Sequence, residues 1–323
     1  MKKLNIGIVG AGAVAEVYHL PALTRMPEFN IAKIAENREE RFKRISNLYN
    51  LKKTELCDFN SIITDPSIDA ILILTPPKTH LSMIEAAVRE KKGIFCEKPV
   101  VMNYKEAEKL DEIITNSGIS FLPGFNFRFI PVYKRIKNLI TRKKFGNLLS
   151  ANFTLFANAY KWPSVSKFQY SSDQGGGALF EMGCHMIDLS TWYFGEPEYI
   201  RGKIYSIRKN SEIDDTASIF IEFKSGIKVI VNIAWNDMSI NSIELTGTHG
   251  KGISSANGND VLFYANKLIR QPPIRIKTEP IISPFHEELL YFHKMITKSE
   301  KSLIPIEEIK LTTKIIDTVY SQN

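Results

Sequence analysis

The sequence predicts an α/β protein: an N-terminal doubly wound parallel sheet, followed by an α+β domain with a large, open, mostly antiparallel sheet. Over roughly the first 120 residues, apolar strands alternate with helical segments, which is the pattern of a parallel sheet. After Pro123-Gly124 the strands are longer and alternate between apolar and polar residues, as in an antiparallel sheet with one buried face. The 323 residues are enough for two hydrophobic cores. We therefore expect two domains, 1–122 and 123–323, with C-terminal helices that can pack back on the first.

The composition is that of an ordinary globular protein, with 44% hydrophobic and 24% charged residues. The formal charge is +7, but the basic residues lie in short clusters such as Lys52-Lys53, so we expect no nucleic-acid partner. No apolar run reaches the ~20 residues of a membrane span, and the N-terminus leads directly into a strand, so we expect no membrane partner and no secretory signal. Three cysteines, odd in number and unevenly spaced, are typical of a reducing compartment. Together these features predict a cytoplasmic protein.

The first predicted strand ends in a glycine turn with the pattern G-x-G-x-x-A, which begins at Gly10. Gly10 permits a tight turn, Gly12 lets backbone amides approach a pyrophosphate, and the small Ala15 lets the next helix lie close to the strand. The N-terminus of that helix favours an anionic group. The pattern predicts a dinucleotide cofactor. The residues of this turn that we expect to contact it are Gly10, Gly12, Ala13 and Val14.

An acidic residue follows the second predicted strand. The apolar run from Ile31 to Ala35 ends at Glu36, where a carboxylate would accept hydrogen bonds from the adenosine ribose. A carboxylate disfavours the 2′-phosphate of NADP, so the sequence favours NAD. Asn37 and Arg38 could bind that phosphate, which keeps NADP possible. The alternative for Glu36 is a solvated strand end.

Two later strands end in residues that can reach the same cofactor. The apolar run from Ala70 to Thr75, followed by Pro76-Pro77, predicts a central strand buried on both faces. The apolar run that starts at Gly93 stops at Glu97-Lys98-Pro99, and long charged side chains are rarely buried unless they are paired or used. Because ligands of doubly wound sheets bind at the carboxyl ends of the strands, both ends are candidate sites. The residues expected at the cofactor here are Thr75, Pro76, His80, Glu97 and Lys98.

The second domain contains a helix with three ionisable side chains. A triple glycine precedes this helix, which ends near Gly195, and Glu181, His185 and Asp188 recur at i, i+4 and i+7 on one face. A carboxylate one turn from an imidazole can orient it for proton transfer. The same set could bind a metal, but no further His or Cys cluster supplies a soft ligand, so we expect no metal. A structural histidine is the plainer alternative.

These motifs occur in the order found in the glucose-fructose oxidoreductase/inositol dehydrogenase (Gfo/Idh/MocA) family, and the sequence resembles that family over nearly its whole length. The resemblance is carried by the glycine turn, Thr75-Pro76-Pro77 with His80, Glu97-Lys98-Pro99, Gly124-Phe125-Asn126-Phe127-Arg128-Phe129, and the Gly-Gly-Gly block that contains His185 and Asp188. It implies a Rossmann domain, and it implies that Lys98 and His185 flank the hydroxyl that is oxidised beside the nicotinamide. The family usually has Asp four residues before the histidine, whereas this sequence has Glu181.

The residues and the resemblance together predict an NAD(P)-dependent oxidoreductase. It moves a hydride between nicotinamide and a secondary alcohol or ketone of a sugar, cyclitol or nucleotide-linked sugar. We expect His185 to take the hydroxyl proton, Glu181 to assist it, and Lys98 to hydrogen-bond the same oxygen; Lys98 could itself be the base if burial lowers its pKa. Two alternatives stay open: a glycosidase that uses bound NAD for a transient oxidation, and a non-catalytic dinucleotide-binding sensor.

The second domain also supplies expectations about the substrate and the oligomer. Arg128 and the positive net charge favour a phosphorylated or nucleotide-linked sugar, although a surface salt bridge accounts for Arg128 equally well. The open sheet leaves a face on which Phe220, Ile230 and Ala234 are not fully polar, which predicts a homodimer or homotetramer. The residues expected to line the substrate are Asn126, Arg128, Tyr160 and Asp188.

Overall fold

The computed structural model describes residues 2–161, 170–208, 211–255, 260–266 and 272–323. The chain divides into two compact units. The first contains the described parts of 1–124 and 283–309, and the second contains those of 125–162, 169–282 and 310–323. Each unit is built on a sheet of its own.

The first unit has a six-stranded parallel sheet. Its strands are β1 (Leu4–Val9), β2 (Phe29–Ala35), β3 (Glu55–Cys57), β4 (Ala70–Ile73), β5 (Gly93–Glu97) and β6 (Phe121–Gly124). Their order across the sheet is β3-β2-β1-β4-β5-β6, and neighbouring strands run parallel. Strand β4 is buried at all four positions because it is central and covered on both faces, as its unbroken apolar sequence predicts.

Helical segments connect these strands. They are a π-helical turn (Ala15–His19) that continues into α1 (Leu20–Leu23), then α2 (Glu39–Tyr49), α3 (Phe59–Ile63), α4 (His80–Arg89) and α5 (Tyr104–Thr115). Side chains cap two of them: Asp58 accepts a hydrogen bond from the Ser61 amide at the start of α3, and Asn103 accepts one from the Glu106 amide at the start of α5. The alternation of strand and helix therefore follows local signals in the sequence.

The second unit has an eight-stranded sheet. Its strands are β7 (Leu148–Ala157), β8 (Pro197–Tyr205), β9 (Thr216–Phe223), β10 (Lys228–Trp235), β11 (Ile240–Gly247), β12 (Gly250–Ser255), β13 (Asp260–Ala265) and β14 (Ile274–Lys277). Their order is β14-β13-β12-β11-β7-β10-β9-β8, and only β7 and β10 pair in parallel among these described strands. The predicted fold class, a parallel sheet followed by a large and mostly antiparallel one, is confirmed.

Strands β9 and β10 form a hairpin around Lys224 to Gly226, since they pair in antiparallel register with Ile221 opposite Val229. Side chains alternate between a buried face, which includes Val231, and an outer face, which includes Lys228. The remaining helices are α6 (Pro131–Thr141), a π-helical turn (Leu179–Gly183) continued by α7 (Cys184–Phe194), α8 (Pro284–Lys298) and α9 (Ile306–Ser321). Helix α8 belongs to the first unit, where it contacts α1. No helix within the described ranges has the length and apolar composition needed to cross a bilayer.

Candidate active site

The ends of four neighbouring parallel strands bring predicted cofactor residues to one edge of the first sheet. Strands β2, β1, β4 and β5 lie side by side and run in the same direction. They lead into Glu36, Gly10, Thr75 and Lys98 respectively. The Gly10 amide donates a hydrogen bond to the carbonyl of Ala35 (2.9 Å), which joins the first two of these ends. This is the edge at which doubly wound sheets bind ligands.

The two glycines of the turn after β1 have different roles. Gly10 has φ +92°, and a Cβ there would lie 2.9 Å from the carbonyl oxygen of Leu74, so the turn strongly favours glycine. A Cβ on Gly12 would meet no atom within 4 Å. The backbone at Gly12 therefore faces open space, and Ala13 and Val14 follow it as the first residues of the helical segment. A pyrophosphate fits this arrangement of open backbone and helix start.

The Glu36 carboxylate lies beside this turn. Oε2 accepts hydrogen bonds from the Ala11 amide (3.1 Å) and from Nη1 of Arg41 (3.1 Å), and Oε1 accepts one from the Arg38 amide (3.0 Å). The carboxylate is thus held beside the glycine turn, at the carboxyl end of β2. Arg38, a predicted cofactor residue, contributes its backbone amide to holding Glu36 in place.

Arg41 is a site residue that the sequence reasoning missed. It lies in the first turn of α2, and its side chain is 9% exposed. Its Nε and Nη2 atoms have no hydrogen-bond partner among the described residues. A basic residue one helical turn after an acidic strand end was the available signal. The Arg41 guanidinium is an alternative partner for the 2′-phosphate of NADP. In this structure it is paired with the Glu36 carboxylate instead.

His80 is fully buried at the start of α4. Its Nε2 lies 2.8 Å from the carbonyl oxygen of Thr75, and its Nδ1 lies 3.0 Å from that of Pro99. Burial lowers the pKa of His80, so the neutral ring has one N–H and donates to one of these two carbonyls. Both nitrogens face the protein, which favours a structural role over the predicted cofactor contact. The ring links the backbone after β4, where Thr75 and Pro76 lie, to the backbone after β5.

Glu97 ends β5 and is also buried. Its Oε1 lies 2.7 Å from Nε2 of His19, and its Oε2 accepts a hydrogen bond from the Lys98 amide (3.0 Å). Both oxygens are therefore used within the protein, which favours a positioning role for Glu97 over the predicted cofactor contact. His19, on the helical segment after the glycine turn, has no motif that marks it in the sequence. Lys98 follows at the strand end and is half-buried.

In the second unit, His185 stands at the start of α7, after the π-helical turn that carries Glu181. The imidazole is 8% exposed and stacks on the ring of Phe127, with 4.2 Å between centroids and an angle of 15° between the planes. This contact fixes the plane of the imidazole, as a directed proton transfer requires. The π-helical turn is wider than an α-helical one, so Glu181 is displaced from the regular i, i+4 position assumed in the sequence analysis.

Asp214 holds the start of this helical segment. Its Oδ2 accepts a hydrogen bond from the Leu179 amide (2.7 Å), and its Oδ1 accepts one from the Tyr320 hydroxyl (2.9 Å). Burial raises the pKa of Asp214, while these two hydrogen bonds act to lower it. The third residue of the triple glycine, Gly177, has φ +111°, and a Cβ there would collide with the Asp214 carboxylate. The glycine is therefore needed for this cap.

Arg128 and Asp188 form a pair in the interior of the second unit. Nε of Arg128 donates to Oδ2 of Asp188 (2.8 Å), and Nη2 donates to Oδ1 (2.6 Å). Both side chains are fully buried, and the guanidinium lies 5.3 Å from the ring centroid of Trp192. A two-pronged buried pair satisfies both charges. It favours a structural role for Arg128 and Asp188 over the substrate contacts predicted for them, and it removes the basis for inferring a phosphorylated substrate from Arg128.

The two other predicted substrate residues are more accessible. The Tyr160 hydroxyl donates to Oδ2 of Asp215 (3.2 Å), and the Arg208 guanidinium lies 3.1 Å from the centroid of the Tyr160 ring. Burial, followed by the Asp215 charge, raises the pKa of Tyr160 to about 12, so the phenol is protonated at neutral pH. Asn126 is half-buried, and its Oδ1 has no hydrogen-bond partner among the described residues. This buried oxygen is therefore an acceptor that no described residue satisfies.

Two family matches cover most of the chain. Residues 4–125 match an oxidoreductase family with an NAD-binding Rossmann fold, and residues 133–252 match the GFO/IDH/MocA C-terminal domain. The fold and the strand-end residues thus define a dinucleotide-dependent oxidoreductase. The chain belongs to the Gfo/Idh/MocA family. The predicted family, enzyme class and dinucleotide cofactor are confirmed.

Relatives of this chain include named sugar and cyclitol enzymes. The chain is 25% identical over 310 residues to an uncharacterized oxidoreductase of Bacillus subtilis, covering 93% of this chain and 89% of that protein. It is 26% identical over 222 residues to scyllo-inositol 2-dehydrogenase (NADP(+)) of the same organism, covering 68% and 60%. Levoglucosan dehydrogenase, solved in complex with NADH and L-sorbose, superposes with a TM-score of 0.89 at 21% identity, covering 99% and 96%. The name of the inositol dehydrogenase specifies NADP(+), and the levoglucosan dehydrogenase was solved with NADH.

We expect Asp188→Ala to destabilise the protein by about 3–5 kcal/mol, because it leaves the Arg128 guanidinium buried without its carboxylate. Urea unfolding followed by circular dichroism measures this change. Arg142→Ala, which removes an exposed guanidinium, is the control and should change stability by less than ~0.5 kcal/mol. Equal stability of the two variants would show that the buried pair does not hold the second unit together.

Proposed function

We propose that this enzyme transfers a hydride between NAD(P) and a secondary alcohol or ketone on a sugar, a cyclitol or a nucleotide-linked sugar. The observation that carries the proposal is the edge of the first sheet. There Gly12 leaves the cofactor turn open, and Lys98 follows β5, two strands away from β1 in the same sheet. The names of the inositol and levoglucosan dehydrogenases support a polyhydroxylated ring as the substrate class.

His185 is the proposed acid/base. The nicotinamide, when bound, takes or gives the hydride, so the protein has to move only a proton. In the direction of oxidation, His185 accepts the proton of the reacting hydroxyl; in the direction of reduction, it returns that proton. Its stacking on Phe127 keeps the ring in one plane, so the nitrogen that handles the proton keeps one direction.

Lys98 is the proposed stabiliser of charge. Its ammonium donates a hydrogen bond to the same substrate oxygen and offsets the negative charge that develops there. The Lys98 amide is bound to Glu97, so the backbone from which the side chain extends is fixed. Glu181 assists His185 from the preceding turn. Asn126 and Tyr160 are the proposed substrate contacts, through an amide oxygen and an aromatic face respectively.

We also propose that the outer face of the second sheet forms a homodimer or homotetramer contact. On this face Ile230 lies opposite Phe220 in the paired strands, and Tyr199 packs edge-on against Phe220. Ile230 is 41% exposed and Tyr199 is 50% exposed. A partly apolar sheet face of this kind is typical of a subunit interface.

Ile230→Lys should therefore lower the oligomeric state in sedimentation velocity, whereas Lys228→Ala, on the same face, should leave it unchanged.

The cysteines support a cytoplasmic location for the enzyme. Cys57, Cys96 and Cys184 are all free thiols. Cys96 and Cys184 are buried, and burial raises the pKa of the Cys96 thiol well above its ordinary value. Free thiols are typical of a reducing compartment.

A substrate screen tests the proposed reaction. Cyclitols, free sugars, sugar phosphates and nucleotide sugars are incubated with NAD and with NADP, and the absorbance of the reduced nicotinamide is followed. We expect turnover with at least one polyhydroxylated ring. Cleavage of a glycoside with no net reduction of the cofactor would instead identify a glycosidase that uses a transient oxidation.

Lys98→Met should lower single-turnover hydride transfer by ~10²-fold or more, because the variant lacks the ammonium that stabilises the reacting oxygen. Lys98→Arg should not restore the rate, since a guanidinium is bulkier and differently shaped. Lys105→Met, which changes an exposed lysine of the same unit, is the control. A Lys98→Met variant that transfers hydride at the wild-type rate at saturating cofactor would remove Lys98 from the mechanism.

Glu36 should make NAD bind more tightly than NADP, because the 2′-phosphate would meet a carboxylate. Glu36→Ala should narrow the difference, since it removes that charge and releases the Arg41 guanidinium to bind the phosphate. The double variant Glu36→Ala/Arg41→Ala should lose the gain in NADP affinity. Titration calorimetry measures these affinities. A wild-type preference for NADP of tenfold, about 1.4 kcal/mol, would contradict the assignment of Glu36 to the ribose.

A further inference from the structure

Three ionisable side chains meet in the interior of the first unit. They are His19 on the π-helical turn, Glu97 at the end of β5, and Glu288 in α8, and one nitrogen or oxygen of each lies within 4.8 Å of the others. His19 and Glu288 are fully buried, and Glu97 is 5% exposed. The rings of Phe95 and Phe285 pack edge-on against His19, each with 5.3 Å between centroids. The cluster therefore has apolar surroundings.

Glu288 differs from the other two members in its hydrogen bonds. Glu97 is satisfied at both oxygens, by Nε2 of His19 and by the Lys98 amide. Neither oxygen of Glu288 has a hydrogen-bond partner among the described residues. A buried carboxylate without a donor is strongly unfavourable, and a second carboxylate nearby makes it more so. Either a cation or a proton on Glu288 would relieve this cost.

A divalent cation fits the cluster less well than a proton does. Two ligands of a tetrahedral zinc ion at ~2.1 Å from the metal stand about 3.4 Å apart. Nε2 of His19 and Oε1 of Glu97 are only 2.7 Å apart, as in a hydrogen bond. A metal would have to break this hydrogen bond and separate the two side chains. A proton on Glu288 leaves the bond intact.

We propose that Glu288 carries a proton at neutral pH, so that Glu97 is the one negatively charged carboxylate of the cluster and positions Lys98 for the reaction. The proposal rests on the function proposed above. The Glu97 carboxylate contacts His19, which lies on the helical segment after the cofactor turn, and it also binds the Lys98 amide. It therefore connects that helical segment to the backbone that bears the Lys98 ammonium. Glu97 thus acts on the reaction as a positioning residue, by way of Lys98.

The surroundings of Glu288 agree with a neutral carboxyl group. Burial raises the pKa of Glu288 well above its ordinary value, and the Glu97 carboxylate adds to the shift. Two titratable groups that face it are Glu97 from β5 and His19 from the helical segment. His80, on α4, interacts electrostatically with Glu97. Because burial lowers the pKa of His80, its ring is neutral at neutral pH and brings no positive charge to the cluster.

The pH dependence of stability tests for this proton. In the unfolded chain a glutamate has a pKa near ~4.3. Because the folded pKa is the higher one, the stabilisation is complete below the unfolded pKa and is lost as pH rises towards the folded pKa. Glu288→Gln keeps the shape and cannot ionise. Relative to it, the unfolding equilibrium constant of the wild type should rise by up to tenfold per pH unit above about pH 5.

Urea unfolding of the full chain between about pH 5 and pH 8 gives this comparison. Glu300→Gln, which removes an exposed carboxylate of the same unit, is the control and should follow the wild type across the range. If the wild type and Glu288→Gln keep a constant difference, Glu288 is ionised in the folded protein and the proposal is wrong. If zinc chloride raises the melting temperature of the wild type but not of Glu288→Gln, the cluster is a metal site and the proposal is also wrong.

The positioning role of Glu97 needs a kinetic measurement. Glu97→Gln should transfer hydride at least tenfold more slowly than Glu288→Gln, while the dissociation constant of the dinucleotide changes by less than about twofold. Equal rates in the two variants would overturn the positioning role. If no polyhydroxylated substrate is found, the proposed function fails, and the unfolding experiment still decides whether Glu288 carries a proton.

Discussion

The Glu97 carboxylate accepts a hydrogen bond from His19 at one oxygen and from the Lys98 amide at the other. A buried charge is costly unless donors surround it, and these two donors come from the segment that follows the cofactor turn and from the strand end that bears Lys98. The same contacts therefore satisfy the charge and fix these two parts of the first unit relative to each other. The His80 ring likewise connects the backbone after β4 to the backbone after β5, because its two nitrogens lie within hydrogen-bond distance of one carbonyl from each.

The parallel sheet could be predicted because each of its central strands is an apolar run that ends at glycine, proline or charge. Strands β12 to β14 could not, since residues such as Gly252 and Ser254 interrupt the alternation in β12, and β14 is mostly exposed and has little need of apolar side chains. The parallel pairing of β7 with β10 has no local signal either. The direction of pairing depends on which two strands become neighbours in the sheet. The residues of a strand indicate that it is extended, but not which strand it will pair with.

At the candidate site, the sequence shows which chemical groups are present and which strand ends carry them. It does not show their partners. The motif around Arg128 suggests a cation that is available to a substrate, but in the structure Arg128 forms a buried ion pair with Asp188. Glu97 reads as a cofactor residue, yet both of its oxygens are bound within the protein. Arg41 lies outside every motif named above, and its contact with Glu36 is visible only in the structure. Burial and pairing between residues far apart in the chain require the structure.

Helix α8 comes late in the chain, yet it belongs to the same unit as β1 and α1. On the ribosome, the strands that form the first sheet emerge well before α8 does. Until Phe285 and Glu288 arrive, the surroundings of His19 are incomplete and apolar side chains of α1 remain exposed to water. The core of the first unit is therefore complete only after α8 has been synthesised. A chain that stops before α8 would keep every cofactor motif, but part of its core would stay exposed to proteases.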